Sequence, residues 1–193
     1  LAFFFALPGS TVVAAPDAPT ASSLLINEVD ADQVSTDSAE FVELYDGGVG
    51  NTALDGLVLV LFNGSDDASY LAFDLDGQST DANGYFVLCA NAATTTNCDL
   101  DVSPDTNLIQ NGADAVALFV GDAVNFPNDT PVTTTGLIDA IVYDTDDGDD
   151  AGLLVLLNAG QPQVNENSGG DGTGHSNQRC ANGSGGARNT DHF

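Results

Sequence analysis

The sequence contains no lysine, no methionine and no tryptophan, and its two cationic side chains are Arg179 and Arg188. Against these two cations stand 29 aspartate and glutamate side chains, which gives a formal net charge of −27 at pH 7. Because no basic surface exists to neutralise phosphates, we expect no direct nucleic acid binding, and binding to anionic membranes is disfavoured. An acidic excess of this kind is typical of secreted proteins from salty water, where hydrated carboxylates keep a chain soluble.

Residues that commonly carry catalysis are also scarce. The two histidines, His175 and His192, lie in a glycine-flanked loop and near the end of the sequence. No G-x-S-x-G turn, P-loop or dinucleotide-binding glycine pattern occurs. The set of histidines and acidic residues that a metal-dependent nuclease needs is missing as well. We therefore expect that this chain is not an enzyme.

The first residues, LAFFFALPGSTVVAAPDAPTASS, combine a short apolar run with a Pro-Gly break and small residues. This pattern is typical of the later part of a secretory signal, and the run is too short to span a bilayer. We interpret residues 1–21 as a signal-peptide remnant and linker, and we expect a secreted or cell-surface protein without a transmembrane segment. The alternative is an apolar N-terminal strand that is donated to a neighbouring subunit.

Short alternating segments recur between turn-forming residues, and no long segment has helical periodicity. With 42% hydrophobic residues, the chain can bury a core despite its charge. The predicted strands lie in SLLINEVDA, AEFVELYD, LDGLVLVLFNG, YLAFDLDG, GYFVLCA, DAVALFVGD, LIDAIVYD and GLLVLLN, with a last short strand near SNQRC. The nearly continuous apolar run LVLVLF predicts a central strand that is covered on both faces. About eight strands at this spacing predict an all-β antiparallel sandwich or barrel.

Three cysteines fit an oxidising compartment. Cys89 and Cys98 bracket the polar loop ANAATTTN, and we predict that they close it as a local disulfide. Cys180 is then left over, and it either pairs beyond Phe193 or is free.

Six segments in order resemble the lamin tail domain, in its bacterial secreted branch. They are LLINEVDADQVSTDSAEFVELYD, ALDGLVLVLFNGS, DANGYFVLC, NGADAVALFVGD, IDAIVYD and GHSNQRCANGSGGARNT. The resemblance implies an immunoglobulin-like β-sandwich over residues 22–193, truncated at its C-terminal end because the family usually continues past the last segment. It also implies a non-catalytic accessory module of the kind attached to extracellular nucleases, phosphatases and other hydrolases.

Three polar residues are singled out by their positions. Glu40 and Glu43 are three residues apart on a predicted strand, so their side chains point to opposite faces and do not form an acid–base pair. Arg179 resembles the arginine of the family's closing S-x-x-R strand. Because a guanidinium group donates several hydrogen bonds in a fixed geometry, we interpret Arg179 as a structural clamp.

Two acidic loops are candidate calcium sites, since calcium takes 6–8 oxygen ligands that often come from closely spaced carboxylates. Neither loop matches the EF-hand pattern, and a solvated acidic loop is the alternative for both. The candidate ligands are Asp30, Asp32 and Asp37 in DADQVSTD, and Asp144, Asp146 and Asp147, with Asp149 and Asp150, in DTDDGDD.

The sequence thus predicts a non-catalytic interaction module of a secreted bacterial protein, with no cofactor except possible calcium and with an unidentified protein or cell-surface partner. Two alternatives remain. One is a self-standing cell-surface or filament module that donates its N-terminal strand, and the other is a calcium-dependent adhesion domain.

Overall fold

The computed structural model describes residues 24–193, so the predicted signal remnant, the linker and the alternative donated strand lie outside the described residues. The described residues form ten strands and three short 3-10 helices. The strands are β1 (Leu25–Asp30), β2 (Phe41–Tyr45), β3 (Leu57–Asn63), β4 (Ala68–Asp74), β5 (Tyr85–Cys89), β6 (Leu100–Asp101), β7 (Asp114–Val120), β8 (Leu137–Asp144), β9 (Val164–Asn165) and β10 (Asn177–Gln178). The 3-10 helices cover Ala123–Asn125, Leu153–Leu156 and Gly172–Gly174.

The strands are arranged in two five-stranded sheets. The first sheet has the order β10-β1-β2-β5-β6, and the second has the order β4-β3-β7-β8-β9. Their facing sides share one hydrophobic core, which includes Ile26 and Leu44 from the first sheet and Leu59 and Leu118 from the second. The prediction of an all-β sandwich is therefore confirmed.

Both faces of the second sheet are buried. Leu59 and Leu61 of β3 lie in the core between the sheets, whereas Val58 and Val60 lie in a second hydrophobic cluster on the outer face. That outer cluster is covered by residues that include Leu153 and Leu156 of a 3-10 helix, Leu157 and Phe126. The prediction that the run LVLVLF forms a strand covered on both faces is confirmed.

Among residues 24–193, no hydrophobic cluster covers the outer face of the first sheet. Along β2, Val42 and Leu44 are fully buried, whereas Phe41, Glu43 and Tyr45 are partly exposed. This alternation is the one that the sequence predicts, because successive side chains of a strand point to opposite faces. Within the part of the chain that the structure describes, the outer face of the first sheet is therefore partly exposed.

Two sequence predictions are corrected. The segment GLLVLLN, predicted as a strand, contains the 3-10 helix Leu153–Leu156, because a short apolar run carries no period that separates a strand from a buried helix. The sheets are mixed rather than purely antiparallel, since β5 pairs with β6 and β8 pairs with β9 in parallel. Both parallel pairs involve two-residue edge strands, which follow the connections 90–99 and 145–163.

Candidate binding groove

A groove of about 880 Å³ lies on the open face of the first sheet. Its floor consists of side chains from three adjacent strands: Glu28 of β1, Phe41 and Glu43 of β2, and Tyr85 and Val87 of β5. The volume falls in the range of pockets that hold drug-sized ligands. The groove is thus large enough for a ligand of several groups.

One wall of the groove is the loop that the predicted disulfide closes. Cys89 and Cys98 are joined, with their sulfur atoms 1.94 Å apart and their Cα atoms 5.7 Å apart. Residues 94–99 of this loop line the groove, so the disulfide anchors the wall to the end of β5. Cys180 is exposed and forms no disulfide with the described residues.

Two glutamates face each other on the floor. Glu28 and Glu43 are direct partners in the antiparallel pairing of β1 and β2, a position where like charges destabilise a sheet. Burial raises the pKa of Glu43, a hydrogen bond from Asn27 opposes this, and the charges of Glu28 and Asp81 raise the pKa further. The Asn27 side-chain amide donates to Glu43 Oε1 at 2.7 Å. The floor therefore concentrates negative charge at a partly desolvated position.

Further polar groups hold these carboxylates in place. Gln178 on β10 donates to Glu28 Oε2 at 2.9 Å, and the Ser176 hydroxyl donates to Glu28 Oε1. Across the groove, the Val87 amide donates to Asp99 Oδ2 at 2.9 Å. The carboxylate of Glu28 is thus oriented by Ser176 and Gln178 at β10, and that of Asp99 is oriented by β5.

Aromatic rings lie beside the carboxylates. The rings of Tyr45 and Tyr85 stack with their centroids 4.6 Å apart, and Asn182 donates to the Tyr85 hydroxyl oxygen at 2.7 Å. Phe41 is two residues from Glu43 on the same face of β2. Ring faces beside carboxylates combine an apolar surface with hydrogen-bond acceptors.

The rim beside Tyr85 depends on a glycine. Gly84 has a φ of +95°, and a Cβ atom there would come within 2.1 Å of Asp46 Oδ1. Any other residue would be strained and would displace Asp46. The rim at Asp81 and Asn83 is therefore fixed by backbone geometry as well as by side chains.

Thr95 in the loop wall has an unsatisfied polar group. The residue is 8% exposed and lines the groove. Its Oγ1 atom has no hydrogen-bond partner among the described residues. Buried hydroxyl groups normally have a partner, so the loop wall holds one unsatisfied hydroxyl, whose oxygen is itself shielded from solvent.

Glu40 lies three residues before Glu43 in the sequence and has a different role. It is fully buried, and its two carboxylate oxygens accept the amides of Leu108 at 2.7 Å and Ile109 at 2.8 Å. Burial raises the pKa of Glu40 to about 7 against these two hydrogen bonds. Glu40 therefore caps a distant backbone segment, and Glu43 alone of this pair lies in the groove.

Arg179, the predicted clamp, is 1% exposed and lies in the interior. Its Nη2 atom is 3.1 Å from Asp139 Oδ2, and its Nε donates to the Ile26 carbonyl at 2.7 Å. Its Nη1 atom donates to three carbonyl groups of the C-terminal segment, those of Ser184, Gly186 and Asn189. The guanidinium group thus connects both sheets to the end of the described chain.

Arg188, the other cation, is also used internally. Its Nε and Nη2 atoms donate to the carbonyl groups of Val155, Leu156 and Leu157 at the end of a 3-10 helix. Its backbone amide donates to Asp139 Oδ1. Since the sequence has two cationic side chains, neither is left to neutralise the groove.

In the first loop, the residues predicted to bind calcium accept hydrogen bonds from other residues of the protein. Asp30 accepts the side-chain amide of Gln33 at 2.6 Å, and Asp37 accepts the Gln33 backbone amide at 2.9 Å. Asn111 donates to Asp32 at 3.3 Å and to Asp37 at 3.1 Å. Burial raises the pKa of Asp30 to about 6.

In the second loop, Asp144 is buried and accepts the backbone amides of Asp146 and Asp147 at 2.9 and 3.1 Å. Asp150 accepts the amides of Gly152 and Leu153, and Asp146, Asp147 and Asp149 are exposed. Within residues 24–193, no three carboxylate, histidine or cysteine groups converge as a metal site would require. Calcium binding at either loop stays a prediction.

Sequence reasoning missed the most informative residues of the groove. Glu28 was not singled out, because its position opposite Glu43 depends on the register between β1 and β2. Thr95 belongs to the polar loop ANAATTTN, and its burial depends on how that loop folds over β5. The alternation along β2 separates two faces in the sequence but does not indicate which of them is exposed.

No family model matches the chain, and no curated protein or solved structure is significantly similar to it. The resemblance to the lamin tail domain, with the immunoglobulin-like topology that it implies, therefore stays an expectation from the sequence. Among residues 24–193, no helix has the length and apolar character needed to cross a membrane.

Proposed function

We propose that this chain is a non-catalytic interaction module of a secreted bacterial protein, and that it binds its partner in the groove on the first sheet. The observation that carries this proposal is the asymmetry of the sandwich. The second sheet is covered on both faces, whereas the outer face of the first sheet carries a groove of about 880 Å³ with ordered polar and aromatic side chains. An open, structured sheet face of this kind suits the docking of a partner.

The chemistry of the groove supports binding rather than turnover. Neither His175 nor His192 is among the residues that line it, and the thiol of Cys98 in its wall is consumed by the disulfide. The Glu28–Glu43 pair is the one arrangement in the groove that resembles a catalytic pair, namely the two carboxylates of glycoside hydrolases. Turnover of a polysaccharide that is lost in Glu43→Gln would therefore overturn the non-catalytic assignment.

The proposed context is an extracellular hydrolase of the nuclease or phosphatase type. This part of the proposal rests on the resemblance to the bacterial lamin tail domain. Sequencing the gene on both sides of the region that encodes these 193 residues tests it. A catalytic domain in the same reading frame supports an accessory role, and a gene that encodes no other domain contradicts it.

Site-specific photo-crosslinking tests the groove as the binding site. Benzoylphenylalanine is placed at Asn83, which is exposed on the rim of the groove, or at Val124, which is 80% exposed and does not line it. Each variant is mixed with the extracellular proteins of its bacterial source and irradiated. We expect one discrete crosslinked partner from position 83 and none from position 124. Equal labelling from both positions would contradict the proposal.

A further inference from the structure

We propose that the groove recognises a basic side chain, lysine or arginine, that a partner protein inserts between Glu28 and Glu43. This inference rests on the proposed function and names the chemistry of its ligand. Four carboxylates line the groove, those of Glu28, Glu43, Asp81 and Asp99, and no cationic side chain lies among them. A cation from outside the chain would relieve the repulsion that these groups impose on one another.

The Glu28–Glu43 pair is the centre of this site. The pairing of β1 with β2 shifts between Ile26 and Glu28, so a β-bulge adjoins this pair, and both glutamates line the same groove. One ammonium or guanidinium group inserted between them would contact both carboxylates. An ammonium group has three donors, and a guanidinium group has five, so either can bridge the two carboxylates. Glu43 Oε2 accepts no hydrogen bond from residues 24–193 and is free to accept one.

Two further features fit a basic side chain better than a bare metal ion. The Phe41 and Tyr85 rings provide apolar faces for the aliphatic stem and for cation–π contact with the charged end. Thr95 in the loop wall has an unpartnered and solvent-shielded hydroxyl, which would accept a hydrogen bond from a ligand that displaces the wall. An isolated divalent ion would use neither aromatic ring.

The cation must come from another molecule. The chain has no lysine, Arg179 is bound to Asp139 in the interior, and Arg188 is bound to carbonyl groups of a 3-10 helix. The basic side chains of a second copy are committed in the same way. The open groove, far larger than one side chain, has room for the backbone residues that flank the basic residue.

The test is a titration of the full chain with an acetylated, amidated pentapeptide that has four glycines and a central lysine. Backbone amide chemical shifts are followed by NMR in about 0.15 M sodium chloride, so that non-specific attraction to the acidic surface is screened. We expect saturable shifts confined to the groove, at Glu43, Val87 and Thr95 among others. A matched peptide with norleucine in place of lysine should produce none of them.

Three variants of the protein test the assignment. Glu43→Gln keeps an acceptor for Asn27 but removes the charge, and we expect about a tenfold loss of affinity for the lysine peptide. Phe41→Ala should weaken it about two- to fivefold through lost cation–π contact. Asp129→Asn removes one exposed charge outside the groove and should change affinity less than about twofold.

Several results overturn the inference. Shifts scattered over the acidic surface, equal losses in Glu43→Gln and Asp129→Asn, or equal binding of the norleucine peptide would each do so. Spermidine that saturates the groove when the lysine peptide does not would assign the site to free polyamines instead. A discrete photo-crosslink from position 83, without lysine-peptide binding, would leave the interaction module standing and remove only the basic ligand.

Discussion

The guanidinium group of Arg179 lies 3.1 Å from the carboxylate of Asp139, and both side chains are fully shielded from solvent. Asp139 also accepts the backbone amide of Ile26 at 2.9 Å and the amides of Ala140 and Arg188. Burial raises the pKa of Asp139, and Arg179 and these amides oppose that shift. One of the two cations in a chain of net charge −27 is thus spent on joining the first sheet, the second sheet and the C-terminal segment.

Arg179→Ala should destabilise the fold by about 3–5 kcal/mol, because it leaves Asp139 buried without its partner. Arg179→Lys keeps the charge but loses the planar fork that serves three carbonyl groups, and it should also cost more than about 1 kcal/mol. Urea unfolding of both variants measures these changes. A lysine variant as stable as the parent would show that Arg179 acts through its charge alone.

Replacing Cys89 and Cys98 together with alanine should lower the free energy of unfolding by about 2–3 kcal/mol, because the closed loop restricts the unfolded chain. The loss should also increase amide hydrogen exchange at Thr95 and its neighbours, since the disulfide anchors this wall of the groove. Cys180→Ala, at an exposed free thiol, is the matched control and should leave both quantities unchanged. Unaltered exchange in the double variant would contradict the anchoring role.

The stability of the fold should fall as the pH rises from about 5 to about 8. Burial raises the pKa of Glu40 to about 7. Burial also raises the pKa of Glu166 to about 8, and the charge of Asp30 raises it further. A carboxyl group with a raised pKa in the folded state stabilises the fold when it is protonated, and this contribution is lost as the pH passes through the folded-state pKa.

Glu166→Gln tests this pH dependence, because it removes the charge and keeps most of the volume. It should raise the free energy of unfolding by about 1–3 kcal/mol at pH 8 and should have little effect near pH 5. Urea unfolding at both pH values provides the measurement, with Asp129→Asn as the control for net charge. A benefit of equal size at both pH values would indicate improved packing rather than a removed charge.

Sodium chloride should raise the melting temperature. At a net charge of −27, the folded state holds carboxylates closer together than the unfolded chain does, and self-repulsion opposes folding. The Debye length falls from about 30 Å at 0.01 M salt to about 3 Å at 1 M, which screens neighbouring surface charges. A melting temperature that is flat over this range would contradict the prediction.

Calcium chloride that raises the melting temperature more than magnesium chloride does at equal ionic strength would reveal a specific site in the acidic loops.

The sandwich itself was predictable from the sequence, because alternation and turn composition are local signals. The strands around Val42, Leu59 and Val116 lie within their predicted segments, and the alternation along β2 matches its buried and exposed sides. The two-residue strands β6 and β9 were missed, since two residues are too few to show a period.

The groove was not predictable, because it depends on contacts between residues that are distant in sequence. Glu28 meets Glu43 through the register of β1 and β2, and Glu40 caps Leu108 and Ile109, which lie more than sixty residues away. A shift of the pairing by one residue would have placed these carboxylates on opposite faces. Register of this kind is set by the whole core and cannot be read from one strand.

The most direct test of the account is to measure the stability and the ligand affinity of Glu43→Gln on the same sample. The central claim is that Glu28 and Glu43 face each other at a cost to the fold because the groove binds a cation. Without ligand, Glu43→Gln should stabilise the protein by a few tenths to about 1 kcal/mol at pH 7, since it removes a like-charge pair across two strands. Its affinity for the lysine peptide should fall about tenfold. A variant that is less stable than the parent and binds the peptide equally well would contradict the claim.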